Sequence, residues 1–148
     1  LVASSHSGGR GVATLISKRY NYLSRDLGAV ADGIEYVITE IMMNSAKKGL
    51  RRNSLVILNV YCSPSYRRTA VYYRTAVYCR TAEASSLFKR AVSMASSYPL
   101  VIVGDFNAPH GVWGYMYYTP KVRKLWQTAT KANMMLITDK NFLRGPHT

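Results

Sequence analysis

The chain has 148 residues, of which 48% are hydrophobic, so it can bury one sizeable core and has little room for a second domain. Its 20 Lys and Arg against 7 Asp and Glu give a formal charge of +13, which favours polyanionic partners, nucleic acid first and acidic membrane surfaces second. No apolar run approaches membrane-spanning length, which argues against a transmembrane segment. The two cysteines, Cys62 and Cys79, fit no zinc, redox or disulfide-framework spacing, so we interpret them as reduced thiols of an intracellular protein.

The first part of the sequence predicts three strands separated by irregular segments. Strands are expected at residues 11–17, 34–43 and 54–61, with a Ser/Gly-rich loop at 1–10 and an irregular segment at 18–33. The third strand is a nearly unbroken apolar run, which is typical of a strand buried on both faces.

A polar segment between the second and third strands, residues 44–53, is predicted to be the loop of a hairpin. It carries four cations: Lys47, Lys48, Arg51 and Arg52. These side chains are candidates for contact with a DNA backbone. A solvated hairpin tip accounts for them equally well.

Residues 68–82, RTAVYYRTAVYCRTA, hold a six-residue unit repeated twice, with a third copy begun. The repeat is shorter and more local than a solenoid repeat, so we interpret residues 71–82 as a tandem insert. Deleting the insert leaves a continuous loop-into-helix sequence and removes two arginines and no acid, so the charge falls only from +13 to +11. Its Val-Tyr pairs favour strand over helix, and we expect a distorted or poorly ordered segment there.

The second half of the sequence alternates helices and strands. Apolar residues at helical spacing predict a helix at 83–97, with Thr81 as its cap, Glu83 in its first turn and Pro99 as its stop. The run LVIVG at 100–104 predicts a second fully buried strand, Thr119-Pro120 opens another helix, and 134–138 predicts a last short strand. This alternation predicts an α/β or α+β fold with a layered sheet core.

Polar residues that suit phosphate chemistry follow the buried run at 100–104. In an extended chain, Asp105 and Asn107 of the string VIVGDFNAPHGVW point to the same side, and ligand sites in sheet proteins tend to lie beyond strand ends. The carboxylate can orient or deprotonate a water, and the amide can hydrogen-bond a phosphate or the nucleophile. An Asx-turn that merely ends the strand explains the same residues, and on spacing alone it is the better explanation.

The earlier strand at 54–61 also ends in polar residues. Asn59 and Tyr61 fall on one face of it, and a tyrosine hydroxyl there can donate to a phosphate oxygen. The alternative is an amphipathic tyrosine at the edge of the core, a strong alternative for any one of the 12 Tyr in the chain.

Several of these segments together resemble one enzyme family. The string GDFNAPH followed by Trp113-Gly114 closely resembles the GDFN motif of the endonuclease/exonuclease/phosphatase family, in the form seen in non-LTR retrotransposon endonucleases. The segments GRGVATL at 9–15, LNVYCSP at 58–64 and PKVRKLWQTATKANMMLITD at 120–139 resemble the segments that surround that motif in the family. The resemblance spans nearly the whole chain apart from the hexapeptide insert.

The resemblance implies a four-layer α/β sandwich and a metal-dependent phosphodiesterase, with Mg²⁺ as the usual metal and Mn²⁺ as a possible one. Carried over, Asp105 positions or activates the attacking water, Asn107 holds the phosphate or nucleophile, and Tyr61 contacts the scissile phosphate. The expected reaction is nicking of a target DNA duplex for retrotransposition. A C-terminal reverse transcriptase domain and a nuclear location are expected for an active element, with no membrane partner.

Two motifs of the family are not found, so we expect residues 1–148 to be a partial domain, truncated at both ends, with impaired activity. The family's metal-binding Glu lies upstream of its GGVAIL-type strand, and Glu35 and Glu40 are not taken as substitutes for it. The family's Ser-Asp-His segment is also absent, because His147 has a different context. Two alternatives remain open: a non-catalytic, basic nucleic-acid-binding remnant, and a small-molecule or lipid phosphoesterase of the same family.

Overall fold

A computed structural model describes residues 2–6, 10–31, 33–43, 53–63, 70–107, 120–135 and 137. The described elements are the strands β1 (Val2–His6), β2 (Arg10–Thr14), β3 (Asn21–Arg25), β4 (Ile34–Met43) and β5 (Asn53–Cys62), the helix α1 (Ala70–Ala95), the strand β6 (Leu100–Asp105) and the helix α2 (Pro120–Lys131). The chain divides into two compact units, the first formed by Leu1–Ser63 with Arg90–Phe106 and the second by Pro64–Lys89 with Asn107–Thr148.

The centre of the first unit is a four-stranded sheet in the order β3-β4-β5-β6. Strands β3, β4 and β5 are antiparallel to their neighbours, whereas β5 and β6 are parallel. The predicted strand at 34–43 is confirmed at both ends, and the predicted hairpin connection is confirmed by the antiparallel pairing of β4 with β5. Residues 44–52, which include Lys47, Lys48, Arg51 and Arg52, lie outside the described residues.

The expectation that two strands are buried on both faces is wrong. Along β5, residues 54, 56, 58, 60 and 62 are buried, and the residues between them are only half-buried. Strand β6 forms one edge of the described sheet, and Val101 and Val103 are 39% and 42% exposed. An apolar run therefore identified both strands, but apolar character alone did not reveal their place in the sheet.

Two strands were missed in segments predicted to be irregular. Residues 2–6 of the predicted loop pair with β2 in an antiparallel hairpin, and β2 itself ends at Thr14 rather than at residue 17. Strand β3 lies in the segment 18–33, and all five of its residues are exposed. Neither strand has a strong apolar pattern of its own, so each depends on the hydrogen bonds that its partner strand supplies.

The connection between β3 and β4 is held by side chains from two other parts of the first unit. The Arg90 guanidinium donates to the carbonyl of Leu27 through Nη1 and to the carbonyl of Ala29 at 3.2 Å. The Tyr36 hydroxyl donates to the Asp26 carboxylate at 2.6 Å and accepts from the Leu27 N–H at 2.9 Å. These contacts give hydrogen-bond partners to the backbone around the buried Leu27 and so fix the connection.

The helix α1 is continuous through the hexapeptide repeat, where we expected a distorted or poorly ordered segment, so the expected distortion is not found. It runs for 26 residues from Ala70, through the whole insert, to Ala95, so Thr81 does not cap it and Glu83 is not in its first turn. Residues such as Val and Tyr disfavour a helix by only a few tenths of a kcal/mol each, and extending an existing helix is far less costly than nucleating one. The predicted C-terminus is confirmed, because Ser96 takes a left-handed φ of 53° before Pro99.

The second unit contains α2 and most of α1. The helix α2 begins at Pro120, as predicted, and Leu125 on its apolar stripe is 3% exposed. On α1, Ala84, Leu87 and Phe88 are buried, which confirms the apolar spacing found in the sequence. The predicted strand at 134–138 is not found in its described part, where Met134, Met135 and Ile137 have no regular structure and Met135 and Ile137 are more than 80% exposed.

The described elements confirm a mixed α/β fold with a parallel strand pair. Within the described part of the chain, neither helix is long and apolar enough to cross a membrane.

Candidate active site

Three polar side chains lie in one row across the four-stranded sheet. In the register of the sheet, Glu35 on β4 is opposite Tyr61 on β5, and Tyr61 is opposite Asp105 on β6. Register partners point to the same face of a sheet, and neighbouring strands are roughly 4.8 Å apart. Glu35, Tyr61 and Asp105, hereafter the polar row, therefore present two carboxylates on either side of a phenol.

The polar row lies where β5 and β6 both end. Tyr61 is the penultimate residue of β5 and Asp105 is the last residue of β6, and the two strands are parallel. The sequence predicted each of these residues at a strand end, and the sheet brings those two ends together. A site beyond the carboxyl ends of parallel strands is the usual place for a ligand in an α/β sheet.

Gly104 is what lets β6 approach β5 at this point. It has a φ of 145° and lies opposite Val60, and a Cβ built on it would lie 1.8 Å from the Val60 carbonyl oxygen. Such an overlap excludes any side chain without a shift of the backbone. The glycine before Asp105 therefore has a steric role, since it sets the position of the carboxylate beside Tyr61.

A small apolar cluster supports the row from the same sheet face. Val12 and Val37 are buried against each other, with Ile16 and the half-buried Tyr61 packed on them. The Asn59 side chain, two residues before Tyr61 on the same face, donates from Nδ2 to the Ala13 carbonyl at 3.1 Å. Asn59 thus joins β5 to β2, and the ring of Tyr61 is held in place by packing.

Glu35 is the member of the row that sequence reasoning set aside. Its Oε2 is buried and has no hydrogen-bond partner among the described residues. A buried carboxylate oxygen without a partner is costly. No pattern within residues 34–43 marks Glu35, because only the pairing of β4 with β5 places it next to Tyr61.

Glu40, the other acid of β4, has a different environment. Its carboxylate accepts from the guanidinium of Arg25 at 2.5 Å and from the hydroxyl of Ser54 at 2.7 Å. It belongs to the opposite sheet face, because side chains alternate along a strand. Glu40 therefore lies on the face away from the polar row, whereas Glu35 is in register with Tyr61.

The geometry expected for Asn107 is not found. An extended chain would place Asn107 on the same side as Asp105, but β6 ends at Asp105 and Asn107 takes a left-handed φ of 44°. Asn adopts that conformation more readily than most residues. Asn107 is exposed and lies in the second unit, so its side-chain direction does not follow from strand alternation.

The described residues were compared with the usual protein ligand sets of metal ions. No group of three His, Cys, Asp or Glu side chains that could hold a metal ion is found among them. The polar row supplies two carboxylates, on strands that are two positions apart in the sheet.

Comparison with known proteins identifies a family. A family model described as endonuclease-reverse transcriptase matches residues 55–147, a range that includes Tyr61, Asp105 and Asn107 and covers more than half of the chain. No curated protein and no solved structure matches the chain significantly.

Proposed function

Because the chain belongs to the endonuclease-reverse transcriptase family, we propose that it is built to hydrolyse one phosphodiester bond in a strand of target DNA. The observation that carries the proposal is the pairing of Tyr61 with Asp105 at the carboxyl ends of two parallel strands. Both residues lie inside the matched range. The formal charge of +13 suits a polyanionic substrate.

The chemistry assigned to these side chains is an in-line displacement at phosphorus. Asp105 accepts a proton from a water molecule as the water oxygen attacks the phosphorus atom. The bond between phosphorus and the 3′-oxygen breaks, the 3′-oxygen takes a proton from solvent, and the nick is left with a 3′-hydroxyl and a 5′-phosphate. Tyr61 donates a hydrogen bond to a non-bridging oxygen, which gains negative charge in the transition state.

Two further residues are given supporting roles. Asn107 is proposed to hydrogen-bond the phosphate or the water from the loop that follows β6. Glu35 is proposed to keep the neighbourhood of Tyr61 polar, since its buried oxygen faces the same side of the sheet as the phenol.

We further propose that the reaction depends on Mg²⁺, with Mn²⁺ as a substitute. Mg²⁺ binds through one or two carboxylates together with water and substrate oxygens, and it would supply charge neutralisation at the phosphate. This part of the proposal rests on the family, since the described residues hold no group of three metal-ligating side chains. A four-layer sandwich, an attached reverse transcriptase domain and a nuclear location are proposed on the same ground.

The first test is nicking of supercoiled plasmid by the purified protein with Mg²⁺ and with a chelator. Asp105→Asn is expected to lower the rate by about 10²- to 10⁴-fold because it removes the proton acceptor. Tyr61→Phe, which keeps the ring and its packing, is expected to lower it by roughly 10²-fold because it removes one donor.

Matched controls separate loss of chemistry from loss of fold. Asp26→Asn changes charge in the same unit as Asp105→Asn, and Tyr98→Phe removes a hydroxyl from another half-buried tyrosine. Both controls should nick at the wild-type rate per folded molecule. Nicking that survives Asp105→Asn would remove Asp105 from the mechanism.

The nucleic-acid-binding alternative has one observation in its favour, the excess of cations. Salt-dependent DNA binding by wild-type protein, with no nicking in Mg²⁺ or Mn²⁺, would favour that alternative over hydrolysis. Turnover of a small phosphoester with the plasmid left intact would favour a phosphoesterase instead.

A further inference from the structure

A cation-rich turn leads from β2 into the exposed edge strand β3. The first 25 residues of the chain contain Arg10, Lys18, Arg19 and Arg25 and no Asp or Glu. Lys18 and Arg19 are exposed at the corners of a turn closed by a hydrogen bond of 3.0 Å from the Tyr20 N–H to the Ser17 carbonyl. The turn thus presents two adjacent positive charges on a defined backbone.

Aromatic side chains flank these cations. The guanidinium carbon of Arg19 lies 4.9 Å from the centre of the Tyr20 ring, a distance at which a cation is attracted to the ring face. Stacking on the ring restricts the side chain of Arg19 and leaves the N–H groups at its edge available for an anion. Tyr20 and Tyr22 are 37% and 40% exposed, so each can offer a hydroxyl to a phosphate.

The positive charge of the turn is not cancelled by nearby acids. Arg25, the cation at the end of β3, is paired with Glu40 at 2.5 Å. Asp26, the next acid along the chain, accepts from the Tyr36 hydroxyl and from the Gly28 N–H. Within the described part of the chain, no ion pair joins Lys18 or Arg19 to an acid.

The turn and the polar row lie in the same unit and at opposite ends of the sheet. Tyr22 is opposite Ile41, whose side chain shares a face with that of Glu35, six residues earlier on β4. At roughly 3.3 Å per residue and 4.8 Å per strand, Tyr22 is about 20–25 Å from Tyr61 and Asp105. A duplex advances 3.4 Å per base pair, so this separation corresponds to roughly six or seven base pairs.

We propose that Lys18, Arg19, Tyr20 and Tyr22, hereafter the turn surface, bind the phosphate backbone of duplex DNA to one side of the cleavage point. The proposal builds on the proposed function, which supplies the partner. It adds a place where the substrate is held without base readout, because contacts of this kind reach phosphates and carry no sequence information.

The test is binding of a labelled 30-base-pair duplex across a range of salt concentrations, with a chelator present to prevent cleavage. The double variant Lys18→Glu/Arg19→Glu is compared with Arg123→Glu/Lys124→Glu, a pair on α2 that is also exposed. Both variants reduce the formal charge by four, from +13 to +9. Loss of two phosphate contacts should make the slope of log K against log salt shallower by about 1.8, which at 0.1 M salt weakens binding roughly 10- to 60-fold.

The control pair should change the slope by less than half as much. An unchanged slope in Lys18→Glu/Arg19→Glu, or an equal change in the control pair, would overturn the proposal. So would a variant that keeps its affinity for DNA and instead loses association with vesicles of anionic phospholipid.

The conservative variant Lys18→Arg/Arg19→Lys should retain the wild-type slope, and Tyr20→Phe/Tyr22→Phe should weaken binding several-fold without changing the slope by more than about 0.3. Binding and catalysis fail separately in this scheme. If the wild type does not nick DNA but Lys18→Glu/Arg19→Glu makes the salt dependence of binding shallower, the turn surface is supported and hydrolysis is contradicted. If the wild type nicks DNA but the variant leaves the salt dependence unchanged, hydrolysis is supported and the turn surface is contradicted.

Discussion

At the scale of single residues, the two side chains that the sequence predicted best are those that end apolar strands. Tyr61 and Asp105 each follow a run of β-branched and aliphatic residues, so the local sequence pattern predicts that each lies at a strand end. The position of Glu35 beside Tyr61 could not be predicted from the sequence, because it depends on the register of the β4–β5 hairpin and the loop sequence does not specify that register. The local sequence thus predicted the candidate side chains, whereas strand pairing between distant segments determined which residues lie beside them.

Gly104 provides a prediction at this scale. Gly104→Ala would place a Cβ 1.8 Å from the Val60 carbonyl oxygen, so β6 must move away from β5 and Asp105 must move with it. We expect the free energy of unfolding to fall by about 3 kcal/mol, since both a backbone overlap and an unfavourable φ are introduced. A displacement near 1 Å at Asp105 is expected to slow nicking by about 10²-fold.

Gly28→Ala is the matched control for this substitution. Gly28 also has a positive φ, of 80°, but its nearest neighbour is the flexible end of Arg90, 3.4 Å from the added Cβ. It should lose only about 1 kcal/mol and keep its nicking rate per folded molecule. Equal effects of the two substitutions on nicking would show that close approach to Val60 does not set the position of Asp105.

At the scale of elements, strong patterns were predicted correctly and weak ones were not. The strands at 34–43 and 53–62 and the helix from Pro120 have sustained apolar periodicity or a clear cap. Strand β3 has five exposed residues and exists because β4 offers it a hydrogen-bonding edge. The helix α1 shows the reverse case, in which strand-favouring residues become helical next to a strongly helical segment.

The insert within α1 yields a prediction at the same scale. Several side chains between Glu83 and Ala95 are buried, among them Ala84, Leu87, Phe88 and Ala91, so this part of the helix has its own packing. Deletion of residues 71–82 is expected to remove the circular dichroism of about twelve helical residues and to change the free energy of unfolding by less than about 1 kcal/mol.

Leu87→Ala, in the retained part of α1, is the comparison for this deletion. Leu87 is 0% exposed, and its truncation should cost about 2–5 kcal/mol. If the deletion cost as much as Leu87→Ala, or removed the helix signal beyond twelve residues, the insert would have to be a packed part of the fold.

At the scale of the whole molecule, the family match and the compact units have different boundaries. The matched range begins at residue 55, yet the first unit begins at Leu1 and includes four strands before residue 55. Strand β4 supplies Glu35 to the polar row, and the turn between β2 and β3 supplies Lys18 and Arg19 to the turn surface. The segment before residue 55 therefore belongs to the same unit as the candidate site, and its contribution to that site follows only from the strand pairing.

The stability of the first unit should depend on pH through the carboxyl group of Asp26. The pKa of Asp26 is lowered from its ordinary value of 3.8, mainly by the hydrogen bond from Tyr36 and next by that from the Gly28 N–H. A carboxyl whose pKa is lower in the folded state stabilises that state above pH 3.8, and this contribution is lost as the pH falls through the lowered pKa. Asp26→Asn removes the titrating group, so wild type and variant should differ most in stability near pH 6 and converge as the pH falls from 4 toward 2.

Urea unfolding of both proteins between pH 2 and pH 7 measures this difference directly, because all other acids titrate alike in the two. Tyr36→Phe should reduce the same pH-dependent difference, since it removes the main donor to Asp26. The pKa of Tyr36 is raised, first by partial burial and then by Asp26, so its own contribution is present below pH 10 and is lost only as the pH rises beyond that value. A difference between wild type and Asp26→Asn that stayed constant from pH 7 to pH 2 would show that Asp26 does not couple protonation to the folding of the β3–β4 connection.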